Sequence, residues 1–209
     1  MLEDVLLIEE RHKNAAKQII DSVNIELLVK KRGVISIGGE SGSGKSELAH
    51  MVSKLLKEKD ILTKILHTDD FYKIHPKNRT EWRKSHPIDD IGLNEYDWNK
   101  INEVLSDYKE KKIVKMPCVD IVPEQLDYLI TDFSQVDLVV LEGLYAVNSE
   151  TETRVFIDLN YHETKKAQIL RGKEPQTDFR LKVLEREHEV ISSLRKKATI
   201  IINKDYEIE

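Results

Sequence analysis

The feature that most restricts the fold of this chain is a loop of small and polar residues that directly follows a short apolar run. Residues 39–46 read Gly-Glu-Ser-Gly-Ser-Gly-Lys-Ser and fill every fixed position of the pattern G-x-x-x-x-G-K-[ST]. The apolar run 34–37 precedes the loop, and apolar residues recur at helical spacing between positions 48 and 55 behind it. This order indicates a strand that turns into a helix through a phosphate-binding loop.

The composition of the loop suits phosphate chemistry. Small residues allow successive backbone N–H groups to converge on phosphate oxygens, and the following helix adds unpaired donors and the positive end of its dipole. Lys45 is expected to reach the β- and γ-phosphates, and the Ser46 hydroxyl is expected to bind Mg²⁺. The predicted nucleotide-binding residues are Gly39, Ser41, Gly42, Ser43, Gly44, Lys45 and Ser46. A purely structural Gly/Ser-rich turn is the alternative, and the ordered strand, loop, Lys-Ser and helix disfavour it.

Short apolar runs with strand character recur along the chain and predict the fold class. They lie at 34–37, 61–66, 136–141, 155–159 and 199–202, and helical patterns separate most of them. Such alternation implies right-handed βαβ units and a parallel sheet. We therefore predict an α/β fold of the P-loop NTPase type, with three layers and a five-stranded, mainly parallel sheet that carries helices on both faces.

The length of 209 residues is sufficient for one such domain. We interpret residues 1–32 as an N-terminal helical extension packed on the core and residues 33–209 as the P-loop domain. Residues 75–131 break the alternation, contain a predicted hairpin around 113–121, and are read as an insertion that covers the substrate. The segment 163–186 is basic and is predicted to be a mobile lid.

Composition narrows the classes of partner. A formal net charge of −5 argues against nucleic acid and against a membrane surface, since both attract basic proteins. The one cysteine, Cys118, excludes an intramolecular disulfide and a Cys-based zinc site. No apolar run has the length of a membrane span, and the acidic start does not resemble a signal peptide. We expect a soluble, cytoplasmic protein, and the sequence leaves a homo-oligomer open.

Two carboxylates follow the second predicted strand, in the run Asp69-Asp70-Phe71-Tyr72. They emerge at the edge of the sheet where the γ-phosphate is expected. Phosphoryl transfer to a hydroxyl needs a carboxylate that positions the acceptor and takes its proton. The pair therefore predicts a catalytic base, and the alternative is that one of the two caps a following helix.

Two further sites carry candidate functional groups. Glu142 ends the apolar run 136–141 and is predicted to help bind Mg²⁺, a role that Asp69 could share. An ordinary strand-end glutamate is the alternative. Arg171 precedes a Gly and a Pro that interrupt a helical pattern, and we predict that it closes over the phosphates on a mobile flap.

Several other patterns carry less weight. His67, His75 and His86 lack a second ligand at zinc-like spacing, so we interpret them as polar or substrate-facing residues. Residues 203–206 read Asn-Lys-Asp-Tyr and differ from the guanine-reading N-K-x-D by a tyrosine in place of the aspartate. Residues 89–92 match D-x-x-G, but no apolar strand leads into them. We interpret both matches as coincidences.

Four elements in this order resemble the uridine kinase and phosphoribulokinase family of P-loop kinases. They are residues 39–46, 69–72, Tyr96-Asp97-Trp98 and Leu141-Glu142-Gly143-Leu144, and the likeness spans roughly residues 33 to 203. The resemblance implies ATP as donor together with Mg²⁺, since the loop alone does not distinguish ATP from GTP. It also implies that Asp69 is the base, that Tyr72 contacts the acceptor, that Glu142 lies near the metal, and that the Arg171 region is a basic lid.

The chain departs from the family pattern around the acceptor. The family's Phe-Asp-His-Pro becomes Asp-Ile-Gly-Leu at residues 90–93, which removes the sugar-binding aspartate in register. Its Pro-x-Tyr-Asp becomes Pro-Cys-Val-Asp at 117–120, which removes a nucleoside-contacting tyrosine. The acidic residues that could compensate are Asp89, Asp90 and Asp97. We predict acceptor contacts by Tyr72 and Asp97.

These inferences predict ATP- and Mg²⁺-dependent phosphotransfer to a hydroxyl of a nucleoside, sugar or related small molecule, with Asp69, Lys45 and Arg171 as catalytic residues. One alternative is a nucleotide-dependent ATPase or switch, which the defective guanine and D-x-x-G patterns disfavour. The other is a family member that binds nucleotide without transferring phosphate. The intact Lys45, Ser46, Asp69 and Glu142 disfavour that reading.

Overall fold

The structure, a computed structural model, describes residues 5–165, 168–169 and 177–209. The strands are β1 (Val34–Gly39), β2 (Thr63–His67), β3 (Ile113–Asp120), β4 (Gln125–Asp132), β5 (Leu138–Glu142), β6 (Thr153–Ile157) and β7 (Ile200–Ile202). The α-helices in the described residues are α1 (Glu10–Ser22), α2 (Ile25–Lys30), α3 (Lys45–Lys57), α4 (Pro76–Ser85), α5 (Trp98–Lys109) and α6 (Asp178–Leu194). Short 3₁₀ turns connect several of them.

Five strands form one parallel sheet in the order β2-β5-β1-β6-β7. The predicted fold class is therefore confirmed. Two predicted strands began two residues too early, because Leu62 and Asp137 form the connection at the sheet edge instead of ladder pairs. The N–H of Leu62 donates to the Asp137 carboxylate at 2.8 Å, and the N–H of Asp137 donates to the Leu62 carbonyl at 2.8 Å.

Helices cover both faces of this sheet, because alternate side chains of each buried strand point to opposite sides. On one face, α1 and α3 pack on β1 through buried residues such as Ala16, Leu48 and Ile35. On the other face, α5 packs against β5, and α6 packs against β6. The sheet thus forms the middle layer of three.

Two of the strands, β3 and β4, form a second sheet of their own. Strands β3 and β4 pair antiparallel from Ile113↔Asp132 to Asp120↔Gln125, at the place where the hairpin was predicted. A hydrogen bond of 2.8 Å from the N–H of Val119 to Oδ1 of Asp70 ties the hairpin to the end of β2. The hairpin is thereby fixed beside the carboxyl end of the sheet.

The segment before β1 forms α1 and α2, and buried side chains of both helices belong to the same apolar cluster as β1 and α3. In the described part of the chain, none of the helices combines the length and the apolar character needed to cross a bilayer.

Candidate active site

Three neighbouring strands end at the same level of the sheet. Ile37 of β1, Glu142 of β5 and His67 of β2 are in register across the ladder. Beyond this row, β1 continues into the loop 39–46, and β2 continues into Asp69. Parallel sheets bind ligands beyond the carboxyl ends of their strands, so the topology brings the predicted phosphate loop and the two predicted acids to one edge.

The backbone of the loop has the form that its glycines permit. Gly42 and Gly44 have φ angles of 77° and 87°, in the left-handed region that favours glycine. A Cβ atom at Gly44 would collide with the Tyr206 hydroxyl. Helix α3 begins at Lys45, so the unpaired N–H groups of its first turn adjoin the loop. These features fit a bound phosphate group.

Lys45 is almost fully buried, and its ammonium group donates a hydrogen bond of 2.9 Å to the carbonyl oxygen of Glu40 in the same loop. The ammonium is thereby held at the loop. The contact of Lys45 with the β- and γ-phosphates stays a prediction.

The structure brings together two of the three oxygen ligands predicted for Mg²⁺. The Ser46 hydroxyl donates to Oε1 of Glu142 at 3.2 Å, and Nδ1 of His67 lies 2.5 Å from the same oxygen. A hydroxyl and a carboxylate are the hard oxygen donors that Mg²⁺ prefers, so the pair fits this metal. Asp69, the third predicted ligand, makes its hydrogen bond with Tyr96 instead.

Glu142 is held in its charged form. Burial alone would raise the pKa of Glu142, but the hydrogen bond and charge of His67, followed by the charge of Lys45, lower it. Burial alone would lower the pKa of His67, but the hydrogen bond and charge of Glu142 raise it. No sequence motif predicted this contact. The available signal was that His67 and Glu142 each end a strand.

The structure separates the roles of the two neighbouring aspartates. Asp70 is buried, its Oδ1 accepts the Val119 N–H, and burial raises its pKa. Asp69 is partly exposed, and its Oδ1 accepts a hydrogen bond of 3.2 Å from the Tyr96 hydroxyl. Asp70 therefore anchors the hairpin, whereas Asp69 has the exposure that a catalytic base requires.

A chain of two tyrosines supports Asp69. The hydroxyls of Tyr96 and Tyr72 lie 2.6 Å apart, and their rings are 4.1 Å apart. Because a hydroxyl carries one proton, Tyr96 donates its hydrogen bond to the Asp69 carboxylate, and the Tyr72 hydroxyl then donates to the Tyr96 oxygen. Burial raises the pKa of both tyrosines, which keeps both hydroxyls protonated. Tyr72 is thus linked to Asp69 through Tyr96, and its contact with the acceptor stays a prediction. Tyr96 is an additional residue that the motif did not identify by role.

Helix α4 contributes two arginines to this region. The Arg79 guanidinium carbon lies 3.4 Å from the centre of the Tyr72 ring. One turn later, Arg83 is buried and pairs with Glu95 at 2.7 Å and with Glu187 of α6 at 3.2 Å. Their spacing of four residues on a helix was the only sequence signal for a shared face.

Asp97 and Arg171 were also predicted to act at the site. Oδ1 of Asp97 accepts the N–H of Lys100 at 3.0 Å and caps α5, so its contact with an acceptor stays a prediction. Arg171 lies outside the described residues. Ile91 and Val119, at the two positions that depart from the family pattern, are both buried and apolar.

The first residues of the predicted lid contact the phosphate loop. The Thr164 hydroxyl donates to the Ser41 carbonyl at 2.7 Å. Glu40 of the loop accepts the Tyr161 N–H at 2.6 Å and lies 2.6 Å from Nδ1 of His188 on α6. The loop is therefore connected to the segments on both sides of the predicted flap.

The chain is similar to known proteins in sequence and in fold. Residues 34–163 match the phosphoribulokinase/uridine kinase family. A uridine kinase of Ureaplasma parvum is 32% identical over 148 residues, which cover 66% of this chain and 68% of the relative. The bifunctional alpha-galactosidase/sucrose kinase AgaSK of Mediterraneibacter gnavus is 28% identical over 191 residues, 84% of this chain and 20% of that protein. The solved structure of a possible uridine kinase from Bacillus stearothermophilus has a TM-score of 0.64 at 18% identity and covers 92% of this chain and 97% of its own.

Proposed function

Because this chain belongs to the phosphoribulokinase/uridine kinase family, we propose that it transfers the γ-phosphoryl group of ATP, with Mg²⁺, to a hydroxyl group of a small molecule. The observation that carries this proposal is the Asp69 carboxylate. It lies at the edge of the sheet shared with the phosphate loop, partly exposed and held by Tyr96. A loop that only binds nucleotide does not need such a base.

In the proposed reaction, Asp69 accepts the proton of the acceptor hydroxyl as that oxygen bonds to the γ-phosphorus. The bond between the γ-phosphorus and the bridging oxygen breaks, and ADP leaves. The backbone N–H groups of the loop and the Lys45 ammonium stabilise the charge on the phosphate oxygens. Tyr96 keeps Asp69 oriented toward the acceptor through their hydrogen bond.

The residues that would hold Mg²⁺ are Ser46 and Glu142, and the bound ion would neutralise phosphate charge. His67 contacts the Glu142 oxygen that also accepts from Ser46, so it would orient that carboxylate. The proposal assigns no further residue to the metal.

The acceptor that we propose is a nucleoside or a sugar. Uridine is suggested by the names of the uridine kinase relatives, and a sugar is suggested by AgaSK, whose match extends over more of this chain. Buried, apolar Ile91 and Val119 replace the sugar-binding aspartate and the nucleoside-contacting tyrosine of the family pattern, which disfavours a nucleoside held in the family's usual way. Tyr72 and Asp97 remain our candidates for its recognition.

The test is Mg²⁺-dependent ADP release across uridine, cytidine, sucrose and free hexoses, with mass detection of the products and a reaction without acceptor. The matched variants are Asp69→Asn and Asp70→Asn. We expect Asp69→Asn to reduce turnover by roughly 10²- to 10⁴-fold with unchanged nucleotide affinity. Asp70→Asn should retain most activity, because an amide oxygen can still accept the Val119 N–H.

The results of this assay distinguish the kinase from the alternative functions. A phosphorylated uridine or sugar identifies the acceptor, whereas ADP release without any acceptor would favour an ATPase or switch. Nucleotide binding without turnover on any compound would favour a binding protein. Equal activity of Asp69→Asn and the parent would remove Asp69 from the role of base.

A further inference from the structure

A residue of helix α1 and a residue that follows β7 meet at the phosphate loop. His12 of α1 and Tyr206, which follows β7, are each 2% exposed, and their rings make an edge contact at 5.0 Å. The Tyr206 hydroxyl donates a hydrogen bond to the carbonyl oxygen of Ser43. A Cβ at Gly44 would collide with the Tyr206 hydroxyl and would lie 2.8 Å from Nε2 of His12. The two side chains therefore pack directly against Gly44.

A hydrogen bond to the backbone defines the orientation of the His12 ring. The backbone N–H of Glu9 donates to Nδ1 of His12 at 2.9 Å, so the neutral ring carries its proton on Nε2, the nitrogen nearer Gly44. The segment before α1 is also attached to the helix that follows the loop, because the N–H of Leu7 donates to Oε1 of Glu47 at 3.1 Å. The N-terminal extension is thus connected to the loop and to α3.

Tyr206 reaches the loop from an unfavourable backbone conformation. Its φ angle is 63°, in the left-handed region that residues with large side chains rarely adopt. The turn is held by Asn203, whose Oδ1 accepts the N–H groups of Asp205 and Glu207 at 2.9 and 3.1 Å. The run 203–206 therefore forms a turn that directs Tyr206 at the loop. Strain of this kind persists where surrounding contacts hold it, often beside a functional site.

The hydrogen bond to Ser43 has a consequence for the neighbouring N–H group. The described residues contain no cis peptide bond. The Ser43 carbonyl and the Gly44 N–H belong to the same trans peptide group, so they point in opposite directions. Holding the carbonyl toward Tyr206 turns the Gly44 N–H to the opposite side of the loop. An N–H fixed in advance binds phosphate without the cost of ordering it.

We propose that Tyr206 and His12 are positioning residues for the nucleotide, which hold the Ser43–Gly44 peptide in its phosphate-binding orientation. The N-terminal extension is then part of the nucleotide site, although it precedes the family match at residue 34. This inference rests on the proposed use of ATP.

The test compares Tyr206→Phe with Tyr108→Phe. Tyr108 is a matched control, because its buried hydroxyl donates to the Asp137 carbonyl at 2.9 Å in the apolar cluster of α5. Affinities for Mg·ADP and a non-hydrolysable ATP analogue are measured by calorimetry well below the melting temperature. We expect Tyr206→Phe to bind both about three- to tenfold more weakly, the effect of one lost hydrogen bond. The KM for the acceptor should not change.

Tyr108→Phe is expected to lower the melting temperature with parental nucleotide affinity. A purely structural role would make Tyr206→Phe behave in the same way, and affinity within twofold of the parent would overturn the inference. If Tyr206→Phe does not fold, His12→Gln tests the other ring with the same expected loss of affinity. A parent protein that binds no nucleotide would instead overturn the proposed function.

Discussion

The Tyr96 hydroxyl lies 3.2 Å from Oδ1 of Asp69, although 27 positions separate the two residues in the chain. An isolated antiparallel bridge between Tyr72 and Tyr96 brings the second segment back beside the end of β2. The tyrosine therefore fixes a carboxylate that would otherwise rotate freely at a partly exposed position.

Tyr96→Phe should lower kcat about tenfold, because Asp69 loses the hydrogen bond that orients it and Tyr72 loses its partner. The KM for ATP should be unchanged, since Tyr96 does not contact the loop through any described hydrogen bond. Steady-state kinetics with both substrates varied measure the effect. An unchanged kcat would show that Asp69 needs no support from Tyr96.

Glu142→Gln should raise the Mg²⁺ concentration at half-maximal rate by about tenfold or more, because it removes the negative charge beside Ser46. The rate is measured against free Mg²⁺ at saturating ATP. Glu124→Gln, at an exposed turn of the hairpin, is the matched control and should leave the curve unchanged. Equal Mg²⁺ requirements for Glu142→Gln and the parent would exclude Glu142 as a ligand.

The sequence predicted the parts of the site that depend on local order. The loop 39–46 has a contiguous pattern, and Asp69 and Glu142 each follow an apolar strand, so their common edge follows from the topology of a parallel sheet. The membership of the family and the five-stranded sheet are confirmed.

The supporting contacts could not be predicted in the same way. Tyr96 and Arg83 act on residues brought close only by the folding of the insertion, and no periodic pattern specifies such pairs. The run 203–206 was interpreted as a coincidental match, yet it forms the turn that carries Tyr206 to the loop. Its motif was not informative, because the function of the turn depends on a contact with Ser43 across the fold.

Asp70→Asn should change how stability depends on pH. Burial raises the pKa of Asp70 above its ordinary value of about 3.9, so the folded state binds this proton more tightly than the unfolded state. The contribution of Asp70 to stability is therefore fully present below the ordinary pKa and is lost as pH rises through the raised folded pKa.

The variant lacks this titration, so its free energy of unfolding should rise relative to that of the parent as pH increases from about 4 and then level off. Urea unfolding of both proteins across this range measures the difference. Asp69→Asn, next to it but partly exposed, is the comparison variant. A pH-independent difference between the parent and Asp70→Asn would contradict a raised pKa.

Arg83→Met should destabilise the fold by about 3–5 kcal/mol, because it leaves buried Glu95 without its cation and leaves buried Glu187 with Arg180 alone, 3.5 Å away. The Arg83 guanidinium makes two bonds to Glu95, of 2.7 and 2.9 Å, and lies 3.2 Å from Glu187. Glu95 and Glu187 are 1% and 4% exposed, so water cannot replace the lost partner. Chemical denaturation gives the free energy of unfolding.

Lys100→Met is the matched control for this loss of a cation. Lys100 pairs with Glu103 at 2.9 Å on the surface of α5, and the removal of such an exposed pair should cost less than about 1 kcal/mol. Replacing Glu95 by Gln in the Arg83→Met background should recover part of the loss, because it removes one uncompensated charge. Equal effects of Arg83→Met and Lys100→Met would mean that the buried network contributes no more than a surface pair, and that α4 and α6 are held together by apolar packing alone.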